Sequence, residues 1–547
     1  MRVAGEDRLV PAEDAARYRD ALGTVIPPGL PEALLEPVPD PLLQLVRRWA
    51  RTHGPFLSAA PAARFGLGPA EVTAVLERLA SEGRVVKGAF RPGGEGHEEW
   101  CDSDVLRILR QRSLAALRRE VEPAEAATLA RFLPAWHGVA AVGEDGGRAG
   151  LDRLVEVVGQ LEGLALPASV METDVLSARV KGYDPRLLDE LLVGGEVMWV
   201  GAGPIGRDDG RVVLARRDHA GLLLPRLGLA GEAAPDLDGE LHAHLRDTLA
   251  ARGACFFREL GHPGASDTEL LEALWDLVWA GEVTCDGFAA LRATVAPAGR
   301  GGRARRAGGP SGLPGRSLRP RPGSVRVAAP PRGQGRWSLV SRELGPPPSG
   351  PRADAEAAVA VASALLERHG VLTRDAVRAE AVPGGFAGLY PVLKILEESG
   401  RIRRGYFLAG MGGAQFAVPG AVDRLRSEAR PAEGGRPSVR VLAATDPANP
   451  FGAALPWPVR GPARLAGAFV VLVDGVASLF VERGGRGLTA LREMDGSWEQ
   501  AAAEALASAV TAGRWRRLQL QRCPEELAPA LEAVGFVPGP KGLVRYA

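Results

Sequence analysis

A ten-residue phrase, L-x-x-L-x-x-x-G-[RE]-[VI], occurs four times in this chain and constrains its fold more than any other feature. The copies are Leu76-Leu79-Gly83-Arg84-Val85, Leu188-Leu191-Gly195-Glu196-Val197, Leu274-Leu277-Gly281-Glu282-Val283 and Leu393-Leu396-Gly400-Arg401-Ile402. In each, leucines continue an apolar stripe at helical spacing, and a glycine stands where a helix ends in the left-handed conformation. A β-prone run follows, such as Val197-Met198-Trp199-Val200. Upstream of the first copy, Leu42–Arg51 and Ser58–Phe65 read as two helices parted by His53-Gly54-Pro55. Before the third, Ser266 and Glu269 form a capping box. Three helices, a glycine and a strand hairpin make a winged helix, a helix-turn-helix variant with a β flap.

The third helix of such a unit enters a DNA groove when it reads sequence. Here those helices carry Glu71, Glu77 and Arg78; Arg186, Asp189 and Glu190; Glu269, Glu272 and Asp276; Lys394, Glu397 and Glu398. Carboxylates facing phosphates repel them, so base readout is disfavoured for most copies. Basic residues gather instead at the flaps: Arg84, Lys87 and Arg91; Arg211, Arg216 and Arg217; Arg401, Arg403 and Arg404 beside Tyr406 and Phe407. Arginine next to an aromatic suits backbone contact and base stacking. The expectation is sequence-independent binding, with protein docking as the alternative role of the same units.

The 547 residues exceed what one core supports and imply several domains. A net charge of +1 excludes a uniformly basic coat, so any nucleic-acid surface is local. Lysine occurs only at Lys87, Lys181, Lys394 and Lys541; the arginine bias suits phosphate contacts, and a GC-rich genome produces the same bias. Cys101, Cys255, Cys285 and Cys523 form no C-x-x-C pair, and His242 and His244 have no companion ligands, so neither a disulfide framework nor a metal site is expected. The N-terminus lacks an apolar signal region, and Ala466–Val481 is interrupted by Asp474-Gly475, a hairpin turn and not a membrane span. A soluble, cytoplasmic protein without cofactor is the expectation. Asp104–Arg119 reads as an arginine-rich helix that includes Arg118 and Arg119. From Gly287 to Arg342 there is no acidic residue, and Arg300, Arg303, Arg305, Arg306, Arg316, Arg319, Arg321, Arg326 and Arg332 stand among Gly and Pro. That composition reads as a disordered basic linker, attracting phosphate or merely spacing domains.

After Arg436 strands dominate: Ser438–Ala443, then Gly467–Val473 and Val476–Glu482 around a type I′ turn, a helix Trp498–Thr511, strand Trp515–Gln521, helix Glu525–Val534 and a terminal hairpin. Between the first strands lies Thr445-Asp446-Pro447-Ala448-Asn449-Pro450-Phe451-Gly452, followed by Leu455-Pro456-Trp457-Pro458. A stiff loop with one carboxylate, one carboxamide and aromatics suits positioning of a base or sugar, and an aspartate there suits stabilising an oxocarbenium-like sugar or orienting water. The competing reading is that Asp446 caps a turn and Trp457 fills core.

Several stretches resemble Lhr-type (large helicase-related) DNA helicases, beyond their motor. Trp275-Asp276-Leu277-Val278-Trp279-Ala280-Gly281-Glu282-Val283-Thr284 is the most telling; Gly335–Leu339, Gly385–Phe416, Phe132–Trp136, Tyr18–Gly23 and the Thr445–Pro458 loop are similar to it in kind. Cys285 stands where that family has Asn. Neither G-x-x-x-x-G-K-[ST] nor D-E-x-H occurs, so this chain has no such ATPase motor. The resemblance implies a fold similar to winged-helix DNA glycosylases, uracil-DNA glycosylase activity being attributed to some members. Their Q-x-Q or Q-x-D motif is missing near the first winged helix; Gln519-Leu520-Gln521 lies at the other end.

The expected layout is α+β, tandem winged helices followed by a C-terminal β-barrel-like module: an extension over 1–35, winged helices over 36–103, 148–225, 226–297 and 336–428, connecting helices over 104–147, a basic linker over 298–335 and the module over 429–547. Expected partners are DNA, single-stranded or forked, a helicase core in cis or as a separate chain, and a second copy of the chain. The nucleic-acid contacts are assigned to Arg84, Lys87, Arg91, Arg216, Arg217, Arg401, Arg403, Arg404, Tyr406 and Trp457. Should the chain be a glycosylase, Asp446 and Asn449 are its candidate catalytic residues and Tyr406 and Trp457 its stacking partners.

Overall fold

The computed structural model describes the chain except residues 92–97, 120–122, 144–147, 229–236, 296–328, 347–348 and 430–436. Most of the basic stretch, including Arg300 to Arg326, and the side chains of Arg118 and Arg119 thus lie outside the described residues. Met1–Val121 and Glu122–Ala547 form two compact units.

All four repeats fold alike. Leu76, Leu79, Leu188, Leu191, Leu274, Leu277, Leu393 and Leu396 are buried, as are Val85, Val197, Val283 and Ile402. The glycines adopt φ of 69°, 75°, 78° and 75° at Gly83, Gly195, Gly281 and Gly400. Each closes its helix with the same pair of bonds: in the first copy Arg84 N donates to Leu79 O and Gly83 N to Ala80 O, both at 2.9 Å. Equivalent pairs recur in the other three, a Schellman motif that satisfies the last helical carbonyls and turns the chain into its strand.

In the first unit, helices Pro41–Ala50, Ala59–Phe65 and Pro69–Ser81 precede the hairpin Val85–Gly88 with Glu99–Asp102, and Phe56 bridges to Trp100. Leu45, Val46, Phe65, Leu76 and Trp100 are core. The N-terminal helix Ala15–Leu22 packs on this core through Tyr18 and Leu22, and buried Asp14 receives Arg48 at 2.7 Å.

The second unit begins with helix Ala126–Trp136. Helix Leu151–Leu161, a π-helical turn Met171–Leu176 and helix Pro185–Val193 then pack under a sheet ordered 166–167, 210–216, 197–204. Next come helices Glu240–Arg252 and Asp267–Trp279, the latter opened by the expected Ser266–Glu269 capping box. Their sheet is ordered 255–256, 336–339, 283–285, with Trp337 opposite Cys285. The strand Arg336–Leu339, expected to open the fourth winged helix, therefore completes the third sheet, and the basic stretch is an insertion within that sheet and not a linker after it. Helices Pro351–His369, Arg374–Ala379 and Gly385–Glu398 follow, with strands ordered 371–372, 415–417, 403–405.

In the C-terminal module an antiparallel meander, Val439–Ala443, Phe469–Val473, Val476–Val481 and Leu488–Ala490, lies against helix Glu499–Thr511. Asp474 and Gly475 both have positive φ, 51° and 80°, as a type I′ turn requires. A second sheet is ordered 517–520, 542–546, 537–539 and meets the first at one bridge, Gly487 to Arg522. The expected barrel is not closed among the described residues: the first and last meander strands are both edges, and the helix covers the face that closure would have enclosed.

Candidate functional site

Two of the four third helices are occupied by neighbouring protein. Helix Asp267–Trp279 buries Leu270, Leu274, Trp275, Leu277, Val278 and Trp279. Its C-terminal turn lies so close to strand Val197–Pro204 that a methyl group on Gly201 would collide with the Val278 carbonyl. On helix Pro185–Val193, Asp189 receives Arg292 at 2.7 Å, and the same guanidinium holds Glu172 at 2.6 Å. The positions these helices leave exposed include carboxylates, Glu190 on Pro185–Val193 and Glu269 and Glu272 on Asp267–Trp279, with Arg186 the one exposed cation on either helix. Helix Pro69–Ser81 is more open, and Arg78 on it is tied to Asp40 by two bonds of 2.9 Å.

The flap residues divide into two groups. Lys87 pairs with Glu98 at 2.6 Å and lies over Trp100, Arg91 pairs with buried Glu99, Arg216 with Asp218 at 2.6 Å, and Arg217 with Glu343. Their charge is largely spent within the protein. Arg404 stacks on Tyr390, and the Tyr406 hydroxyl accepts from Gly410 N while its ring stays exposed. Arg84, Arg401 and Arg403 are exposed with no carboxylate partner among the described residues. So are Arg207, at the turn between strands Val197–Pro204 and Gly210–Arg216, and Arg211 on the second of them. Arg207 was legible as a basic residue beside Gly206 in a hairpin turn, and only the strand pairing places it at the tip.

Two readings of the Thr445–Trp457 loop stood open, one positioning a ligand and one with Asp446 capping a turn and Trp457 filling core; in the structure Asp446 and Asn449 are both buried. Arg179 Nη2 donates to Asp446 Oδ1 at 2.6 Å and Nη1 to Oδ2 at 2.9 Å, with both side chains at 1% exposure or less. Ala448 N donates to Asp446 Oδ1 at 2.7 Å. Arg179 also reaches the Val175 carbonyl, and it approaches His137 Nδ1 at 3.1 Å. Burial first, then the charge of Arg179, drives the His137 pKa well below its ordinary value, so the ring is neutral with its N–H on Nε2. Asn449 Nδ2 donates to the Ala444 and Phe451 carbonyls, and its oxygen accepts from Phe451 N. Arg464 clamps the loop from beneath through the carbonyls of Thr445, Asp446, Asn449 and Phe451. Burial lowers its pKa to about 10, against the pull of Asp446, leaving it charged. Trp457 stacks on Phe451 at 6.1 Å and meets Phe480 edge-on at 5.6 Å.

Beside this loop is a cavity of about 370 Å³, walled by Pro167, Thr445, Pro447, Arg464, His369 and Glu380. Its carboxylate is Glu380, which receives His369 Nε2 at 2.6 Å and is paired with buried Arg368. Burial alone would raise the Glu380 pKa, but the Arg368 charge and the His369 hydrogen bond outweigh it and hold it at about 2. Thr445 Oγ1, at the wall, is buried with no hydrogen-bond partner. Sequence reasoning missed Glu380 and His369 because Arg368-His369-Gly370 reads as an ordinary basic helix end. Among the described residues no cluster of three or more His, Cys, Asp or Glu could hold a metal, and no helix is long and apolar enough to cross a membrane.

Family models described as winged-helix domains of large helicase-related protein match residues 1–37, 124–217 and 351–437. The chain carries winged-helix domains of the large helicase-related family. The 124–217 match includes helix Ala126–Trp136, expected to be only a connector. An Lhr helicase/probable uracil glycosylase of Mycolicibacterium smegmatis is 45% identical over 534 residues, covering 95% of this chain and 34% of that protein. The Lhr helicase/uracil glycosylase of Escherichia coli is 35% identical over 578 residues, covering 99% of this chain and 36% of that protein. The chain thus spans about a third of the length of these relatives. Among solved structures, Streptomyces sahachiroi DNA glycosylase AlkZ aligns at TM-score 0.41 and 15% identity, covering 71% of this chain and 97% of that one.

Proposed function

We propose that this chain is a DNA-holding region of a longer Lhr-type protein and grips the sugar-phosphate backbone without reading sequence. The observation that carries this is the carboxylates that helices Pro185–Val193 and Asp267–Trp279 leave exposed, Glu190, Glu269 and Glu272, set against the exposed arginines of the flaps that have no carboxylate partner among the described residues, Arg84, Arg207, Arg211, Arg401 and Arg403. Backbone contacts of this kind position a nucleic acid and carry no sequence information. The helicase core is the partner, on the same polypeptide or another; single-stranded or forked DNA is the ligand, and self-association is part of the same reading. The test is anisotropy with single-stranded, forked and duplex oligonucleotides across a salt series. Binding should weaken steeply with salt, and Arg207→Ser/Arg211→Ser/Arg401→Ser/Arg403→Ser should reduce the slope by about 0.7–0.9 per lost phosphate contact. Salt-insensitive binding, or none, overturns it in favour of protein docking.

A second reading is favoured by the cavity at Glu380. A carboxylate with a pKa near 2 is a poor proton acceptor but stays ionised, which suits stabilising the cationic sugar formed as a glycosidic bond breaks. The volume of about 370 Å³ is within the range of small-ligand pockets and accommodates a flipped base. Uracil-containing DNA incubated with wild type, Glu380→Gln and Asp446→Asn decides it. Base release lost in Glu380→Gln and kept by the folded Asp446→Asn protein supports the cavity; release lost only in Asp446→Asn returns the role to the loop carboxylate, and no release by wild type ends the glycosylase reading.

A further inference from the structure

A separate hollow of about 790 Å³ opens in the C-terminal module between residues 460–468 and the turn that follows strand Val476–Val481. Arg460, Arg483, Arg486 and Arg522 surround it, against a single carboxylate, Glu482, which is paired with Arg522. All four arginines are exposed, and the guanidinium groups of Arg460, Arg483 and Arg486 meet no hydrogen-bond or ionic partner among the described residues. Phe480 contributes an apolar wall.

These arginines are held on a fixed frame. Gly485 N donates to Glu482 O at 2.8 Å and Glu482 N to Gly487 O at 2.9 Å, closing a tight turn. A methyl group on Gly485 would collide with the Leu518 side chain, so the turn is seated on the second sheet. The Arg486 carbonyl accepts from Gln521 N and Arg522 N, which brings Arg522 alongside the turn from a distant part of the chain. Three uncompensated positive charges facing one concavity repel each other, and an anion relieves that cost.

We propose that this hollow holds the phosphodiester backbone of a single-stranded nucleic acid. Duplex DNA is read by helices and ribbons that protrude into its grooves, whereas a concave basic surface with an apolar wall receives a strand. Guanidinium forks match phosphate oxygens two at a time, and three free ones on one rim, Arg460, Arg483 and Arg486, suit a polyanion with repeated charges better than a lone ion. The proposal takes the polymer class from the DNA-holding reading but assigns it to a surface outside the winged helices.

The test uses the full chain and a labelled polythymidylate oligonucleotide in a salt series. Arg460→Ser/Arg483→Ser/Arg486→Ser should lower the slope of log K against log salt by about 2, since each single-strand contact contributes about 0.7, and weaken binding at least ten-fold at low salt. Arg352→Ser/Arg426→Ser/Arg517→Ser, an equal charge change on exposed residues outside the hollow, is the control. Equal losses in both variants, an unchanged slope in the first, or polyglutamate competing as well as polythymidylate at equal charge each overturn the proposal. If the hollow variant matches wild type while the Arg207/Arg211/Arg401/Arg403 variant loses binding, the hollow fails and the flap reading stands; the reverse result leaves the hollow as the grip.

Discussion

Replacing Asp446 by alanine strands a guanidinium that has no route to solvent. Arg179 loses two of the three hydrogen bonds it donates to oxygen and keeps the Val175 carbonyl and the His137 nitrogen. Hydrogen bonds to charged groups contribute about 1.5–3 kcal/mol each, and removing one partner of a buried pair costs about 3–5 kcal/mol, so about 4 kcal/mol is expected here. Unit Glu122–Ala547 contains several packed modules, and a single global transition is a poor readout. Hydrogen exchange is better, followed in peptides spanning 171–183 and 444–457. At 1.4 kcal/mol per decade, about 4 kcal/mol raises exchange through local opening nearly a thousand-fold, up to the limit set by global unfolding. Arg179→Met/Asp446→Leu should recover most of the protection, because apolar replacement of both partners removes the stranded charge. Wild-type exchange in Asp446→Ala would refute the anchoring role and with it the energetics assigned to the pair.

Glu380 makes stability acid-sensitive. Its folded pKa, about 2, lies below the ordinary value of 4.5, so its contribution is complete above that value and is lost as pH falls toward 2; about 3 kcal/mol is at stake. Glu380→Gln should flatten that limb of a denaturation-against-pH curve. Gly83→Ala should cost about 1–2 kcal/mol from its left-handed backbone alone, since no atom lies near the added methyl; Gly281→Ala should cost more, because the Gly201 carbonyl stands 3.0 Å from that methyl. Chemical denaturation of each variant checks the order. Cys285, its thiol pushed up to about 12 by burial, should react with iodoacetamide far more slowly in the folded chain than after unfolding, by mass-spectrometric labelling.

The four helix endings, the Ser266–Glu269 box and the Asp474-Gly475 turn were legible because each is decided within a few residues by backbone chemistry. The site was legible only as a loop. Nothing near Asp446 reveals that its partner is Arg179, 267 positions away, or that Arg464 occupies the carbonyls around it. Glu380 and His369 become a pair only when two helices fold back on each other. The third sheet was misjudged for the same reason: the hydrophobic pattern of Arg336–Leu339 gives a strand but not the partner some fifty residues before it.

That sheet gives the arginine-rich insertion an unusual mechanical status. Its two ends are stitched to neighbouring strands, with Cys285 opposite Trp337, so its length sets no spacing between the bodies it separates in sequence. Lengthening the sequence between two paired strands costs little, since the closure penalty grows only with the logarithm of length. A protease site engineered between 296 and 328 should yield two polypeptides that still co-elute under native conditions and part only in denaturant.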